Sequence, residues 1–570
     1  MAHRPLRRGA ADVRLASASS AKNIDALAAA EWGLDSPALV EAAGRACRKA
    51  LLGSAFPGTA FTGTAIRKLR DTRIVALLGG GNNAADALVM LRALALSDEA
   101  DPLLFTLVFA RPPRRENSPL SSALTTLEKL GSAVLGWDGP AGRAAEALDR
   151  AGLVIDGIAG TGLRGALSGE AAEMALAVTA LAAAAAGAAA AGAAVAAGAV
   201  AAAGAVAAAG ATAAGRPPVV SIDVPSGLSD EWIPGFPVVR ADLTLAVEPR
   251  KACLYRPLAR ASAGRIVPVA GIFPASLLEL ADGGELMTFA EAAVMIPPVA
   301  VDAYKHLRGL VEVRAGSVGS TGAAWLAARA SQAAGAGLVR LVADADIYPI
   351  LAGRCAGIMV VPEGREGGRA KADAVLAGPG WGRNESRKAV LAALLDAEKD
   401  GAALVLDADA IAIARGLRFA GRTILTPHPG EFAAWLGVEK PALMADPFAL
   451  VRRAAAEANA VFVLKGEVTL IAGPDGRTVV VDGLVPALAA GGSGDVLAGL
   501  IAALAARTVR LEAETGRPFD PLAVAAVGAA LLTEAGRAVA ASIGFSDAED
   551  LCAAAGRIAA GAWLPGADRG

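Results

Sequence analysis

The stretch Gly491-Gly492-Ser493-Gly494-Asp495 runs directly into Val-Leu-Ala-Gly-Leu. Its glycines let backbone N–H groups converge without Cβ interference. The apolar run over 496–506 reads as a helix, so those amides sit at its positive end. Together they make an anion site suited to a phosphate chain. Asp495 is the odd member, because a carboxylate repels phosphate. Its placement suits a base that takes a proton from a hydroxyl attacking phosphorus. Simple capping of the helix is the alternative.

Other residues add to this chemistry. His428 lies in Thr426-Pro427-His428-Pro429-Gly430-Glu431, where two prolines hold it in a rigid, extended loop suited to ligand contact. Lys465, before Gly466, can neutralise a phosphate or simply be solvated. Asp407 and Asp409 either orient a magnesium-bound nucleotide or satisfy loop amides. In the first half, Gly79-Gly80-Gly81-Asn82-Asn83-Ala84-Ala85-Asp86 follows a short apolar run, and paired asparagine amides can bind a ribose, a phosphate or a cation. Asp156 and Asp223 each end an apolar run before a small-residue turn, with Ser226 close behind the second. Oxygen donors without His or Cys suit a hard cation rather than zinc, although each Asp can instead cap the next helix.

Elements must gather these residues. Apolar runs at 74–78, 103–109, 133–136, 153–156 and 219–223 alternate with helical patterns, which predicts a parallel sheet covered on both faces. Two helices are expected within 23–50. In the second half, strands are expected at 310–314, 338–342, 374–376, 404–406, 423–425 and 461–464, with a hairpin at 468–472 and 478–482 around Pro474-Asp475-Gly476. Ligands of such sheets bind outside the carboxyl ends of the strands, where Asn83, Asp156, Asp223, Ser226, Asp407, Asp409, His428 and Lys465 fall. Residues 274–298 read as a linker. Residues 174–215 carry no charge and are almost entirely Ala and Gly, which predicts a low-complexity insertion rather than a membrane span.

A chain of 570 residues exceeds one compact core, so two domains are expected. Lys+Arg 54 against Asp+Glu 56 offers no basic excess for a nucleic-acid partner. Cys47, Cys253, Cys355 and Cys552 are far apart and read as free thiols in a reducing compartment. Arg4, Arg7 and Arg8 have no apolar core behind them, so no secretory signal is expected and the chain reads as cytoplasmic.

The order GGGNNAAD, VIDGIAGTGLRG, SIDVPSGL, ADLTLAVEPRKA and AGRIVPVAGI resembles the epimerase domain of NAD(P)H-hydrate repair enzymes. AGSVGSTGAA, LAGPGWG, VLDADAI, TPHPGEF, VLKG and AAGGSGDVLAGL resemble, in order, the family's ribokinase-like dehydratase domain. The resemblance implies an α/β chain of two domains: a Rossmann-like parallel sheet over 12–280, with the Ala/Gly-rich insertion at about 180–215, and a ribokinase-like domain over 290–565. It implies substrate contacts at Asn82, Asn83, Asp86, Gly160, Thr161, Gly162, Leu163, Arg164, Gly165, Ala166 and Asp223, and a potassium ion held by Asn83, Asp156 and Ser226. In the second domain it implies hydrate contacts at Ala323, Gly380, His428 and Asp495. Adenine-nucleotide contacts would be Lys465, Gly466, Glu467, Val468, Thr469 and Gly494. Asp495 and Asp156 are the candidate catalytic carboxylates.

The implied activity is interconversion of R and S NADH or NADPH hydrate, then dehydration of the S epimer with ADP and magnesium, in a homo-oligomer without nucleic acid or membrane. The alternative is a ribokinase-like kinase for a vitamin precursor or sugar, fused to a non-catalytic dinucleotide-binding module. Alanines stand at 84, 85 and 87 where the family usually has glycine. A crowded turn after Asn83, strained at any position of positive φ, predicts a slow epimerase that restored glycine would speed. A helix that begins earlier, where alanine is well suited, predicts no gain.

Overall fold

The computed structural model describes residues 13–54, 69–113, 118–181, 216–299, 302–365, 371–544 and 546–563. The chain divides into two compact units, Met1–Gly284 and Glu285–Gly570. A helix over 169–181 covers the start of the Ala/Gly-rich segment, and the expectation for the remainder lies outside the described residues.

In the first unit, seven strands form one parallel sheet: β1 (Ile74–Leu78), β2 (Phe105–Phe109), β3 (Ala133–Gly136), β4 (Leu153–Gly157), β5 (Val219–Ile222), β6 (Leu243–Val247) and β7 (Arg265–Val269). Their order is β3-β2-β1-β4-β5-β6-β7. The chain steps outward from β1 on one side, then returns to lay β4 on the other. The crevice beyond the carboxyl ends of β1 and β4 is therefore a topological switch point. β1 and β4 are buried along their whole length, which explains their unbroken apolar runs. β2 starts later than expected because Pro102–Leu104 forms a 3-10 turn, capped by the Asp101 carboxylate accepting from the Leu103 amide.

Two helices cover 18–52, as the spacing predicts. The second, α1 (Ser36–Leu52), packs on α2 (Asn82–Leu96) through Gly44, where an added Cβ would stand 2.5 Å from Val89 Cβ.

The second unit is organised around β8 (Leu310–Arg314), β9 (Leu338–Ala343), β10 (Met359–Pro362), β11 (Ala374–Ala377), β12 (Ala403–Leu406), β13 (Thr423–Leu425), β14 (Val461–Leu464), β15 (Val468–Ala472) and β16 (Thr478–Asp482). The order β10-β9-β8-β11-β12-β13-β14-β15-β16 is parallel through β14, and the expected hairpin adds β15 and β16 antiparallel. Its switch point lies between β8 and β11. Residues 274–298, expected as a linker, carry elements of their own. These are Ala275–Leu278, the strand Gly284–Leu286, and the helix Phe289–Met295, closed by a capping box between Thr288 and Glu291.

α3 (Thr321–Ala333) and α4 (Ser493–Thr515) cross closely: a Cβ on Gly499 would stand 2.3 Å from the Ala327 carbonyl oxygen. The Ser331 hydroxyl donates to the carbonyls of both Ala327 and Gly499, locking the crossing. This contact fixes where the N-terminus of α4 is presented. One described helix, α5 (Pro521–Ser542), is long and apolar enough to cross a membrane, but most of it is buried in this unit's core.

Candidate active sites

At the first switch point, β1 leads into a turn that must lie flat against β4. A Cβ on Gly79 would stand 2.0 Å from the Ile158 carbonyl oxygen, so only glycine fits. Asn82 opens α2, and Asn83 donates from Nδ2 to the Ala159 carbonyl at 3.1 Å. The Ser226 hydroxyl meets the same carbonyl at 3.1 Å and also bonds Asp156 Oδ1 at 2.5 Å. Asn83 and Ser226 thus converge on the Ala159 carbonyl, and Ser226 ties Asp156 to them.

Asp156 is fully buried, and burial raises its pKa. Its carboxylate accepts from the Ser221 hydroxyl, the Ser226 amide and hydroxyl, and the Ile158 amide. The buried Asn83 Oδ1 has no protein partner. An orphaned buried amide oxygen is a ligand of the kind a hard cation takes.

Asp86 lies one turn along α2 from Asn83 and is buried, with Oδ1 unpartnered. Burial, then the nearby Asp223, pushes its pKa well above the usual carboxylate range. Asp223, with φ 62°, accepts from Lys251 Nζ at 2.7 Å. Sequence reasoning quoted Lys251 within EPRKA but gave it no part. Its one visible signal is a lysine followed by the apolar stretch Ala252-Cys253-Leu254-Tyr255, all of it buried. The segment Gly160 to Ala166, with Thr161, Gly162, Leu163, Arg164 and Gly165, follows directly from this cluster as a partly exposed loop, with the Gly165 amide donating to Glu231.

Ala84, Ala85 and Ala87 lie in regular α2 helix, buried at 1%, 3% and 0% exposure. None has positive φ, so the expected backbone strain is absent: the helix starts at Asn82, where alanine is well suited.

In the second unit, α4 begins at Ser493, capped by Gly492 at φ 91°. Asp495 thus sits in the first helical turn. Burial, then Asp407, pushes its pKa up to about 6, while Lys465 acts to lower it. Lys465 Nζ donates to Asp407 Oδ1 at 2.7 Å and lies 3.3 Å from where a Gly494 Cβ would stand. The Thr426 hydroxyl donates to the same Asp407 oxygen. Asp409 accepts from the Gly382 amide and Arg383 Nε, which fastens the turn after β11. Asp407 is thus engaged by side-chain donors, and Asp409 by one loop amide and an arginine.

Ala323 and Gly380 are neighbours, since a Gly380 Cβ would stand 3.1 Å from Ala323 Cβ. His428 is the N-cap of the helix Pro429–Leu436: Nδ1 accepts from the Gly430 and Glu431 amides. Lys465, Gly466 and Glu467 form the turn into β15, where Val468 is buried and Thr469 half-buried. Beside the site a cleft of about 450 Å³ runs past His428, lined by Arg383, Arg415 and Trp435 among others. Nothing in the motifs pointed to it.

Two doubly wound sheets with the candidate residues gathered about their switch points define a two-unit α/β protein of the class whose ligands lie beyond the carboxyl ends of the strands. Residues 36–253 match the family described as YjeF-related protein N-terminus, and residues 311–555 match that of NAD(P)H-hydrate dehydratase. The bifunctional NAD(P)H-hydrate repair enzyme Nnr of Moorella thermoacetica is 30% identical over 545 residues, 92% of each chain. The ADP-dependent (S)-NAD(P)H-hydrate dehydratase of Xanthomonas campestris is 34% identical over 239 residues, 40% of this chain and 82% of that protein. The crystal structure of ADP/ATP-dependent NAD(P)H-hydrate dehydratase from Bacillus subtilis with ATP and Mg2+ is 26% identical with TM-score 0.41, covering 48% of this chain and 96% of that one. The chain belongs to the family of bifunctional NAD(P)H-hydrate repair enzymes.

Proposed function

We propose that this chain repairs hydrated nicotinamide cofactors in the cytoplasm: the first unit interconverts R and S hydrate, and the second dehydrates the S epimer using ADP. The observation that carries the second step is Asp495 in the first turn of α4, beside Gly494 and the Lys465–Asp407 pair. Its carboxylate takes the proton of the ring hydroxyl, whose oxygen forms a bond to the terminal phosphorus of ADP as AMP leaves. Loss of that phosphate together with a neighbouring ring proton restores the dihydronicotinamide. The amides of Gly491 to Gly494 hold the transferring phosphoryl group, while Lys465 faces its charge. Magnesium carried by the nucleotide supplies further charge neutralisation.

In the first unit, Asn83 Oδ1, Asp156 and Ser226 would hold potassium, which supplies positive charge toward the dinucleotide. Asp86, whose pKa burial and Asp223 raise, is the candidate group for moving a proton in this unit.

The test incubates the protein with mixed hydrate epimers plus ADP or ATP and follows recovery of dihydronicotinamide absorbance. Recovery of both epimers supports the reading. Recovery of the S epimer alone removes the epimerase, and no recovery with either nucleotide removes the dehydratase.

A further inference from the structure

The cleft beside His428 is lined by Arg383, Ile411, Arg415, His428, Glu431 and Trp435 along the helix Pro429–Leu436. At one end His428 caps the helix, and the preceding Pro427 carbonyl accepts from the Lys465 amide at 2.9 Å, so this end adjoins the phosphoryl-transfer groups. At the other end Arg415 Nη2 lies 3.0 Å from where a Cβ on Gly437, the helix C-cap, would stand. Eight helical residues separate the ends by about 12 Å at 1.5 Å each. The cleft therefore leads away from the reacting groups for the length of half a dinucleotide.

Its volume of about 450 Å³ falls in the range of small-molecule sites. The charges are uneven along it. Near the active site, Arg383 is tied to Asp409 at 2.7 Å, and Glu431 accepts from the His428 amide. Arg415 makes no hydrogen bond or ion pair with any described residue. A planar guanidinium without a carboxylate partner, in a cleft also lined by the Trp435 indole, offers bidentate donors for a phosphate monoester and a flat surface for a base. Trp435 is held in place edge-on to Phe462, with ring centroids 5.3 Å apart.

We propose that this cleft receives the adenosine half of the hydrated dinucleotide, with Arg415 on the 2′-phosphate, making Arg415 the residue that favours NADPH hydrate over NADH hydrate. The proposal rests on the dehydratase reading of the second unit. It concerns a part of the substrate remote from Asp495, and so bears on selection rather than on chemistry.

The test measures dehydratase kcat/KM for S-NADPH hydrate and S-NADH hydrate in the full chain, wild type against Arg415→Gln and Arg415→Lys. The ratio of the two constants should fall about tenfold or more in Arg415→Gln, the worth of one charge-assisted contact. Arg415→Lys, a point charge without the fork, should fall between. Calorimetry with adenosine 2′-monophosphate should show affinity lost in Arg415→Gln by a similar factor, a readout independent of turnover. An unchanged ratio overturns the proposal and leaves Arg415 as a cation complementing the end of a helix. A rise in the KM for ADP with the ratio unchanged overturns it too, by giving the cleft to the nucleotide. Wild type that turns over neither hydrate removes the dehydratase reading itself, and this proposal with it.

Discussion

The Lys465 ammonium bonds Asp407 at 2.7 Å and stands 3.3 Å from the position a Gly494 Cβ would take. One residue earlier than Asp495, glycine is what lets that ammonium approach the start of α4. Asp495 therefore has both signs of charge nearby: Asp407 and burial raise its pKa to about 6, and Lys465 opposes them. The balance leaves the carboxylate ionised at neutral pH yet basic enough to accept a proton.

Dehydration should accordingly lose rate as pH falls through about 6, because the proton acceptor is then occupied. Asp407→Asn removes a negative neighbour and should move this acid limb to lower pH. Lys465→Met removes the opposing cation and should move it up. Profiles of kcat/KM between about pH 5 and 8 read both directions. Asp495→Asn should lower the rate by about 10²–10⁴-fold with much less change in ADP affinity. Wild-type rate in that variant would remove Asp495 from the mechanism.

Asp156→Asn should destabilise the first unit by about 1–3 kcal/mol. Its carboxylate accepts four hydrogen bonds in a fully buried place, and an amide turns one acceptor oxygen into a donor facing other donors. Denaturant unfolding checks this. A midpoint matching wild type would mean the carboxyl is already protonated and shares its proton with Ser221 or Ser226.

Gly499→Ala should separate α3 from α4, since the new Cβ would stand 2.3 Å from the Ala327 carbonyl oxygen. A cost of about 1–3 kcal/mol is expected for such overpacking, with dehydration lowered because the turn carrying Asp495 moves. Epimerisation, a property of the other unit, should persist. Equal loss of both activities would instead point to collapse of the whole chain.

How much of this was readable beforehand follows from what each element must bury. Strands such as β1 and β4, covered on both faces, appear as unbroken apolar runs, and the motifs at their carboxyl ends are contiguous in sequence. Asp495, His428, Asn83 and Asp156 therefore stand out by type and spacing as candidates. Pairings across long separations left no such mark. Lys251 reaches Asp223 over 28 positions, and Lys465 reaches Asp407 over 58. His428 looked like a loop residue because nothing local announces that its ring, rather than a Ser or Asp, caps the following helix. The cleft was hidden for the same reason: Arg383, Arg415 and Trp435 come from three separate connections.

The alanines of α2 give the last prediction. A crowded turn after Asn83 would make glycine at 84, 85 and 87 speed the epimerase. In the structure these residues are helical, buried and free of positive φ, so there is no backbone strain to relieve. Each glycine in a helix interior costs about 1 kcal/mol relative to alanine, and each removes a packed methyl group. Ala87 is also close to β4, since a Cβ on Gly157 would stand 3.1 Å from its own Cβ. The triple-glycine variant should therefore lose about 3 kcal/mol or more of first-unit stability. Fraying of the first turn would also loosen Asn83 and Asp86, so R-to-S conversion should slow. Thermal unfolding and epimerisation measured without nucleotide decide the matter; faster epimerisation at unchanged stability would show that the turn opens during catalysis in a way the resting helix does not.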